Sequence, residues 1–220
     1  MAFEAKPKQE KIKSFPMTGF RKNEDNRIIF GEQKGDKKMI FEERTFDING
    51  KELVMRAPRE EDAEMLRNFI KKACGETRFL MAEGDEMDLS LEDELEFINS
   101  HRDSDSGMLI LGFLDGEHVG NCSFEKVGGS RRYAHRVSVG IALLQKFTNQ
   151  GVGKTMFGAM LEEIVKLGIE QAELIVIEGN DRAKHMYETF GFIETGRRPM
   201  ANKYDDGTYA DDILMTKFLD

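Results

Sequence analysis

The eight residues TNQGVGKT, at positions 148–155, differ at one position from the phosphate-binding pattern G-x-x-x-x-G-K-[ST]. A run of predicted strands precedes them, and an amphipathic helix follows. The first N–H groups of a helix have no partner within the helix, and the helix dipole attracts anions to this end. The stretch is therefore predicted to bind a diphosphate group, which need not belong to a nucleoside triphosphate.

Two features argue against the phosphate loop of nucleotide hydrolases. Thr148 replaces the first glycine of the pattern, and only 65 residues follow Thr155, too few for a complete nucleotide-binding sheet. The Gly-Lys-Thr end and the strand LIVIE, which ends in an acid, do fit such proteins. A P-loop nucleotide hydrolase is therefore kept as a less favoured alternative.

The elements that position this loop belong to one predicted domain. Residues 1–44 lack sustained periodicity and are predicted to form an N-terminal extension, whereas residues 45–220 form the domain. The pair Asn49-Gly50 lies between alternating segments, which predicts a β-hairpin with both residues at positive φ.

Two helices and three strands are predicted next. The first helix follows Pro58 and an acidic first turn, and the second follows Ser90, which forms a near capping box with Asp93. The turn signals Asp115-Gly116 and VGGS then divide a β-rich segment into three strands. Strands that are joined by hairpins form an antiparallel meander.

The C-terminal third contains a helix, a buried strand, a second helix and a hairpin. The helix after residues 148–155, the 148–155 loop, ends near Gly168. It carries an apolar stripe formed by Val152, Met156, Met160, Leu161, Ile164 and Val165. The segment AELIVIE is predicted to be a strand buried on both faces, and the last hairpin turns at Asp206-Gly207.

The predicted order is one strand, two helices, three antiparallel strands, a helix, a buried strand, a helix and two strands. A meander on one side and a β-α-β crossover on the other predict an α/β (α+β) fold. Its sheet is mixed and mostly antiparallel, with helices on both faces.

Composition argues against several classes of protein. The net charge of −9 and the pI near 5.2 argue against a nucleic-acid partner. We expect a soluble, cytoplasmic protein with no membrane partner, because there is no long apolar run and the N-terminus is charged where a signal peptide is apolar. Cys74 and Cys122 lack metal-ligand spacing, so we expect reduced core thiols and no metal.

Over residues 51–220 the chain resembles the GNAT superfamily of N-acetyltransferases in three blocks. The block VGIALLQKFTNQGVGKTMFGAMLEE is similar to the family's fourth strand, its Q/R-x-x-G-x-G/A loop and the following helix. The block IEGNDRAKHMYETFGF is similar to the family's N-x-x-A-x-x-x-Y-E-x-x-G-F pattern, and VMRAPREEDAEML more weakly resembles its first strand and helix. The resemblance implies a GNAT-like fold and direct transfer of an acetyl group from acetyl-CoA to a primary amine in a ternary complex.

The resemblance also implies roles for individual residues. The loop would bind the pyrophosphate of acetyl-CoA through Thr148, Asn149, Gln150, Gly151, Val152, Gly153, Lys154 and Thr155. Ile141, Ala142 and Leu143 would pair through their main chain with the pantetheine arm, and one of their N–H groups would meet the thioester oxygen. Asn180 would cap the next helix and contact the arm. Tyr187 would protonate the departing thiolate as general acid.

Two positions depart from the family's pattern. Thr148 replaces an Arg or Gln, which predicts weaker cofactor binding, and Ser138 stands where many relatives carry a glutamate base. A lysine-like amine with a pKa near 10.4 is neutral in about one molecule in a few thousand at pH 7, equivalent to roughly 4–5 kcal/mol. Such an amine therefore needs another base, whereas an α-amino group with a pKa of about 7.7–8.0 needs much less help. The candidates are His135, Glu125 and Glu86, with His135 first because its ordinary pKa suits the task.

Each of these residues also has a purely structural interpretation. Gly151 and Gly153 are compatible with an ordinary strand-to-helix turn, and Asn180 with an N-cap alone. Tyr187 is compatible with a core aromatic and His135 with a solvated strand residue. Because Ser138 leaves the base unassigned, a module that binds acyl-CoA without turnover is a second alternative to the enzyme.

The sequence leaves the acceptor open between small-molecule and peptide amines. In the family the acceptor pocket involves the variable segment after the first helix, and here that segment carries the acids Glu76, Glu83, Asp85 and Glu86. These acids favour a cationic acceptor. The oligomeric state is also open, with a homodimer as one alternative.

Overall fold

The computed structural model describes residues 39–80, 82–102 and 104–219 of the chain. Most of the expected N-terminal extension, residues 1–38, lies outside the described residues. Phe41 is buried in the main hydrophobic core, and the first strand begins at Arg44. The packed chain therefore reaches into the segment that was assigned to the extension.

Eight strands of the described residues form one sheet. They are β1 (Arg44–Ile48), β2 (Lys51–Arg56), β3 (Gly107–Leu114), β4 (Glu117–Lys126), β5 (Arg136–Leu143), β6 (Gln171–Ile177), β7 (Ile193–Lys203) and β8 (Tyr209–Phe218). Their order across the sheet is β1-β2-β3-β4-β5-β6-β8-β7. β5 and β6 pair in parallel and the other neighbours pair antiparallel, as the predicted mixed sheet requires.

In the part of the chain that the structure describes, four α-helices cover this sheet. They are α1 (Ala63–Glu76), α2 (Leu91–Arg102), α3 (Val152–Lys166) and α4 (Asp181–Thr189), and two short 3-10 helices span Glu60–Asp62 and Gln145–Phe147. α1 and α2 pack on Leu109 and Leu111 of β3, and this side of the sheet is the α1–α2 face. α3 and α4 pack on the opposite side, the α3–α4 face, where Cys122 Sγ lies 3.7 Å from the carbonyl oxygen of Met156. Helices on both faces were predicted and are confirmed.

The hairpin turns follow their local sequences. Asn49 and Gly50 have φ values of 55° and 82°, and Asp115 and Gly116 have values of 49° and 80°. Both pairs therefore have the two positive φ values that a tight two-residue hairpin requires. The predicted order was wrong in one respect, because it counted one strand where the Asn49-Gly50 turn joins two, β1 and β2.

The helix starts depend on local side-chain capping. The predicted box before α2 is present, since Asp93 N–H donates to Ser90 Oγ at 3.1 Å and Ser90 N–H donates to Asp93 Oδ2 at 3.0 Å. α1 begins later than Pro58 suggested. The Asp62 carboxylate accepts two hydrogen bonds of 2.7 Å from Arg56, and a 3-10 turn precedes the helix.

Two burial predictions were wrong. Ile175 of β6 is 47% exposed on the α1–α2 face, because α1 and α2 pack over β3 and leave β6 uncovered on that side. Only the α3–α4 side of β6, with Leu174 and Val176, is buried throughout. In α3, Val165 is 44% exposed, whereas Phe157 is buried and was missed.

Two further properties bear on the predictions from composition. Within residues 39–80, 82–102 and 104–219, no helix is both long and apolar enough to span a bilayer. Cys74 and Cys122 are free and buried, as predicted, and burial raises the pKa of both thiols.

Candidate functional site

A gap between β5 and β6 is the central feature of the site. The two strands pair only through Arg136, Val137 and Ser138 on β5, opposite residues 171–173 of β6. Beyond Ser138 the strands are no longer paired, although β6 continues to pair with β8. The edge of β5 at residues 139–143 therefore presents unpaired main-chain groups, with which an extended ligand can pair as an added strand would. This space is the β5–β6 gap.

The 148–155 loop closes one end of the gap. Asn149 and Gly151 have φ values of 60° and 89°, and Gly151 is the N-cap residue of α3. No side chain caps this helix, so its first N–H groups remain free for an anion. The Thr148 hydroxyl is turned back into the loop and donates to the Gln145 carbonyl oxygen at 2.7 Å.

Several contacts hold the loop against its neighbours. Gln145 N–H donates to Glu76 Oε2 of α1 at 2.6 Å, and Gln150 Nε2 donates to the Lys146 carbonyl oxygen at 2.7 Å. A Cβ atom at Gly153 would lie 2.8 Å from Leu143 Cδ1, so this glycine allows the first turn of α3 to approach β5. The predicted loop residues thus lie together at the end of β5. Lys154 is exposed on the first turn of α3.

α4 lies beside the first turns of α3. Asn180 Oδ1 accepts a hydrogen bond from Ala183 N–H at 3.4 Å, and Asn180 is therefore the N-cap of α4. Met186 Sδ lies 3.9 Å from the Cβ position of Gly153, so α4 lies next to the 148–155 loop. The contact of Asn180 with a cofactor stays a prediction.

Tyr187 of α4 is a buried phenol. It is 7% exposed, and its ring centroid lies 5.1 Å from that of Phe157 and 6.0 Å from that of Phe192. Burial raises the pKa of Tyr187 to about 12. The hydroxyl therefore keeps its proton throughout the neutral pH range.

The three candidate bases lie in different places. His135 precedes β5, and its carbonyl oxygen accepts hydrogen bonds from Glu170 N–H at 3.1 Å and from Gln171 N–H at 3.0 Å. This is the closed end of the β5–β6 pair, six residues from Ile141, which corresponds to about 20 Å along a strand. The structure does not bring His135 to the gap.

Glu86 is engaged within its own loop. Its Oε2 atom accepts a hydrogen bond from Glu83 N–H at 2.8 Å. This loop packs on the C-terminal turn of α1, where the Cβ position of Gly84 lies 3.0 Å from Gly75 Cα. An open depression of about 560 Å³ lies beside it, lined by Lys71, Gly75, Gly84, Asp85 and Asp88. No lining residue belongs to β5, β6, α3 or α4, and the depression is distinct from the gap.

Glu125 lies on β4 directly opposite Ser138, the position where a base was expected. Its Oε1 atom is 3.5 Å from Nε2 of His101, a buried residue of α2. Sequence reasoning named Glu125 but missed His101 and two further polar residues of β4, Asn121 and Ser123. A signal for the two β4 residues was available, because Asn121, Ser123 and Glu125 alternate with the apolar residues Cys122 and Phe124.

The loop after α1 meets the β7–β8 hairpin. Arg78 Cζ lies 3.6 Å from the ring centroid of Tyr204, and Arg78 also donates to Thr208 Oγ1 at 3.2 Å. Phe79 lies beside Gly179, just after β6, at 3.7 Å from its Cβ position. These contacts form a wall near the C-terminal end of β6. No local spacing predicted them, since the partners are 100 or more residues apart.

Among the described residues, no group of three or more His, Cys, Asp or Glu side chains is placed to hold a metal ion.

Comparisons with known proteins agree with this geometry. The family model described as acetyltransferase (GNAT) family matches residues 67–192. An acetyltransferase of the GNAT family from Streptococcus pneumoniae is 27% identical, with a TM-score of 0.71, over 76% of this chain and 99% of that one. A search of curated protein sequences finds no match.

Two further solved structures share the fold and were solved with a ligand. yncA from Salmonella typhimurium, solved with its cofactor acetyl-CoA, is 14% identical, with a TM-score of 0.68, over 76% of this chain and 94% of that one. A ribosomal L7/L12 α-N-protein acetyltransferase in complex with coenzyme A is 18% identical, with a TM-score of 0.65, over 80% of this chain and 99% of that one.

Proposed function

Because the chain belongs to the GNAT acetyltransferase family, we propose that it transfers acetyl directly from acetyl-CoA to a primary amine in a ternary complex, with Tyr187 as general acid. The family assignment and the GNAT-like fold that the sequence predicted are confirmed. The chain is an acetyl-CoA-dependent N-acetyltransferase. The observation that carries the proposal is the unpaired edge of β5, which leads directly to the uncapped start of α3.

The residues present fit acetyl-CoA. An extended arm with amide groups matches the free main-chain groups at residues 139–143, and a diphosphate matches the free N–H groups at the start of α3. Gly153 leaves the room that a side chain would fill. When bound, acetyl-CoA supplies the activated acetyl thioester.

The chain's own groups orient the reactants and move a proton. A main-chain N–H among Ile141, Ala142 and Leu143 donates to the acetyl oxygen, where negative charge develops. The Tyr187 hydroxyl holds a proton at neutral pH and gives it to the sulfur as negative charge develops there. The buried site around Tyr187 excludes water from this step.

The 148–155 loop provides little positive charge. The Thr148 hydroxyl is bound to the Gln145 carbonyl oxygen, and no Arg or Gln side chain extends from this position. Lys154, exposed on the first turn of α3, is the supporting cation near the diphosphate. Backbone N–H groups therefore carry most of the recognition, and the affinity for acetyl-CoA is lower than an arginine at position 148 would give.

The acceptor amine enters beside the wall formed by Arg78, Tyr204 and Phe79. This wall lies near the C-terminal end of β6, which borders the gap. Both a small-molecule amine and a peptide amine fit an entrance built from two exposed loops. Glu76 accepts a hydrogen bond from Gln145 N–H and Glu86 accepts one from Glu83 N–H, so these two acids are less available to a cationic acceptor.

The first experiment is calorimetric titration of the protein with acetyl-CoA and, separately, with Mg-ATP. A thiol-release assay follows with spermidine, an aminoglycoside, an α-acetylated lysine amide and an alanyl peptide. We expect micromolar binding of acetyl-CoA, no response to Mg-ATP, and thiol release with at least one amine. Binding of acetyl-CoA without release for any amine would favour the non-catalytic module, and binding of Mg-ATP alone would favour the nucleotide hydrolase.

Two glycines offer a matched test of the diphosphate site. Gly151 and Gly168 flank α3, have φ values of 89° and 72°, and have open space at the Cβ position. Alanine at either residue therefore introduces a similar backbone strain, on the order of 1–2 kcal/mol. Gly151→Ala should weaken acetyl-CoA binding about tenfold, an effect of about 1.4 kcal/mol, whereas Gly168→Ala should leave it unchanged. Equal binding by both variants would contradict the placement of the diphosphate.

A further inference from the structure

Arg78, in the loop after α1, is held by an aromatic ring and a hydroxyl group. Its Cζ atom lies 3.6 Å from the ring centroid of Tyr204, and Nη2 donates to Thr208 Oγ1 at 3.2 Å. Among the described residues, no carboxylate forms an ion pair with Arg78, whereas Arg56 and Arg198 each pair with an aspartate at 2.7 Å. The Arg78 side chain is also exposed. Its positive charge is therefore available to a ligand.

The guanidinium of Arg78 has unused hydrogen-bond donors in one plane. A guanidinium carries five N–H donors in a planar fork, and within the described chain Thr208 Oγ1 accepts from Arg78 once. The Tyr204 ring is stacked against one face of the guanidinium, so the N–H groups lie around its edge. Such an edge matches the two oxygens of a carboxylate, which can accept two parallel hydrogen bonds. A carboxylate is therefore the group that fits this donor set.

Contacts from the β7–β8 hairpin fix Arg78 before any ligand binds. The Tyr204 hydroxyl donates to the Arg78 carbonyl oxygen at 3.3 Å, so this tyrosine contacts both the main chain and the side chain of Arg78. The Thr208 hydroxyl accepts from Arg78 and donates to Asp206 Oδ1. A side chain that is already ordered loses less conformational entropy on binding. Arg78 is therefore preorganised for a ligand.

Asp206 is the acidic neighbour of Arg78 at the tip of this hairpin. Its Oδ1 atom accepts hydrogen bonds from the Thr208 hydroxyl and, at 2.8 Å, from Thr208 N–H. These hydrogen bonds hold the pKa of Asp206 below its usual range, and the charge of Arg78 lowers it further. Asp206 is linked to Arg78 through Thr208 and not by a direct ion pair. It therefore leaves the outer edge of the guanidinium open.

The strand register gives the level of the acetyl site. Ser138 of β5 lies opposite Glu173 of β6 in the parallel pair, so Ile141 is roughly level with Val176 across the gap. Val176 in turn pairs with Ile213 of β8. The acetyl group, which the proposed function places at the main chain of β5 near Ile141, therefore lies at the level of Ile213.

Arg78 lies further along the same direction, past the open end of the gap. Its partner Thr208 directly precedes β8 and is five residues before Ile213. Five residues of extended chain span roughly 17 Å. Phe79, the next residue after Arg78, lies beside Gly179 just after β6, so this loop borders the same end of the gap. The guanidinium is therefore on the order of 15 Å from the acetyl site.

On the basis of the proposed function, we propose that Arg78 selects the acceptor by binding a carboxylate of an acidic peptide whose terminal amine lies at the acetyl site. An extended peptide covers about 15 Å in four to five residues, so the carboxylate belongs to a side chain at about the fourth residue. A free α-amino acid is too short, because its amine and carboxylate share one carbon. Arg78 does not touch the reacting atoms and determines specificity.

The test uses the full chain and matched peptide amides in the thiol-release assay. Salt at about 0.15 M screens the long-range repulsion between the net charge of −9 and an acidic peptide. The peptides are hexapeptides of alanine and serine with a free N-terminus, and the fourth residue is glutamate, glutamine or lysine. We expect kcat/KM to be about tenfold higher for the glutamate peptide than for the glutamine peptide, from one charge-assisted contact. Moving the glutamate to the second residue should remove this preference, because its carboxylate does not reach Arg78.

Substitutions of Arg78 should change the preference in a defined order. Arg78→Gln should lower the ratio of glutamate to glutamine peptide from about tenfold to about one. This change should be in KM, because the contact is equally strong in the ground state and the transition state. Arg78→Lys keeps the charge without the planar fork and should give an intermediate ratio. Arg78→Glu should reverse the preference toward the lysine peptide.

The matched control is Arg131→Gln. Arg131 is exposed on the turn between β4 and β5, at the closed end of the β5–β6 pair. Its removal changes the net charge of the chain by the same amount as Arg78→Gln and should keep the wild-type ratio. Calorimetric titration with acetyl-CoA shows that each variant is folded.

The outcomes distinguish this inference from the proposed function. Failure of the wild-type chain to release thiol with any peptide or any amine of the earlier panel would overturn both. Thiol release with a small amine but with no peptide would overturn only the role of Arg78. Equal rates for the glutamate and glutamine peptides, a preference for lysine, an equal preference at the second residue, or a ratio that survives in Arg78→Gln would do the same. A preference for glutamate at the fourth residue that is lost in Arg78→Gln and kept in Arg131→Gln supports it.

Discussion

The two faces of the sheet differ in the polarity of their buried side chains. On the α3–α4 face the buried side chains are apolar except for Tyr187, and the recognition groups belong to the main chain of β5 and of the first turn of α3. The α1–α2 side holds all seven buried polar or charged residues of the described chain, which are Asp62, Glu94, His101, Asn121, Ser123, Asp212 and Thr216.

Under the proposed function the two faces bind different ligands, and this accounts for the difference. A cofactor with a constant structure can be recognised by backbone groups, which glycines and a helix start supply at fixed positions. An amine and its proton need side chains that accept hydrogen bonds and charge, and these must be buried at a cost in stability. Recognition by backbone groups is compatible with an apolar core. Recognition by side chains places polar groups inside the core.

The largest effect is expected from a substitution of Tyr187, the one buried polar side chain that the structure describes on the α3–α4 face. Tyr187→Phe keeps the ring packed against Phe157 and Phe192 but removes the proton. We expect kcat to fall about 100- to 1000-fold, as for a lost general acid, with an unchanged dissociation constant for acetyl-CoA. Steady-state kinetics and calorimetry measure the two quantities.

Tyr209 offers the control for this substitution. It lies on β8 and is 46% exposed, so Tyr209→Phe should leave kcat unchanged. A Tyr187→Phe variant that keeps more than a third of the wild-type kcat would show that Tyr187 is a core aromatic only.

A smaller effect concerns the cost of polar burial on the α1–α2 face. Glu94 is 4% exposed, and burial raises the pKa of Glu94 from 4.5 to about 7. Because the pKa of Glu94 is raised in the folded state, the protonated carboxyl favours folding relative to the ionised one. This contribution to the free energy of unfolding is fully present below about pH 4.5 and is lost as pH rises through about 7. Glu94→Gln should therefore stabilise the fold by about 1–3 kcal/mol at pH 8, and by less than about 1 kcal/mol at pH 5.

Urea unfolding at the two pH values measures this difference. Glu96→Gln is the matched control, because Glu96 is exposed on the same helix and should give no change at either pH. Equal stability of Glu94→Gln and wild type at pH 8 would contradict a costly buried carboxyl on this face.

The smallest effect would sharpen the role of the backbone on the α3–α4 face. Thr148→Arg adds a long cation where the Thr148 hydroxyl now binds the Gln145 carbonyl oxygen. We expect acetyl-CoA to bind about three- to tenfold more tightly, because one charge-assisted hydrogen bond to phosphate adds about 1 kcal/mol. Thr148→Ala removes the hydroxyl without adding charge and should not tighten binding. Calorimetry that gives equal affinities for all three chains would mean that the loop does not hold the diphosphate as proposed.

Most of the fold could be predicted because its signals are local. Asn49-Gly50 and Asp115-Gly116 adopt the positive φ values that their side chains allow, and Ser90 with Asp93 starts α2. The predictions failed where burial depends on distant elements. Ile175 is apolar yet exposed, since α1 and α2, the described helices on that side, pack over β3.

The candidate site divides in the same way. The loop at residues 148–155 was predictable because a helix start leaves free N–H groups wherever it lies in a fold. The placement of the candidate bases was not predictable. His135 is close to Ser138 in the sequence but lies at the closed end of the β5–β6 pair, whereas Glu125 is distant in the sequence and directly opposite Ser138.

The sequence by itself determined the order of elements after the first hairpin, the start of α3 and the family resemblance, because each depends on residues within short segments. Only the tertiary structure decided which carboxylate faces Ser138 and which histidine stands behind it. That choice depends on the register between β4 and β5 and on the packing of α2 across them. Both are contacts between separate segments, and no local spacing of residues encodes them.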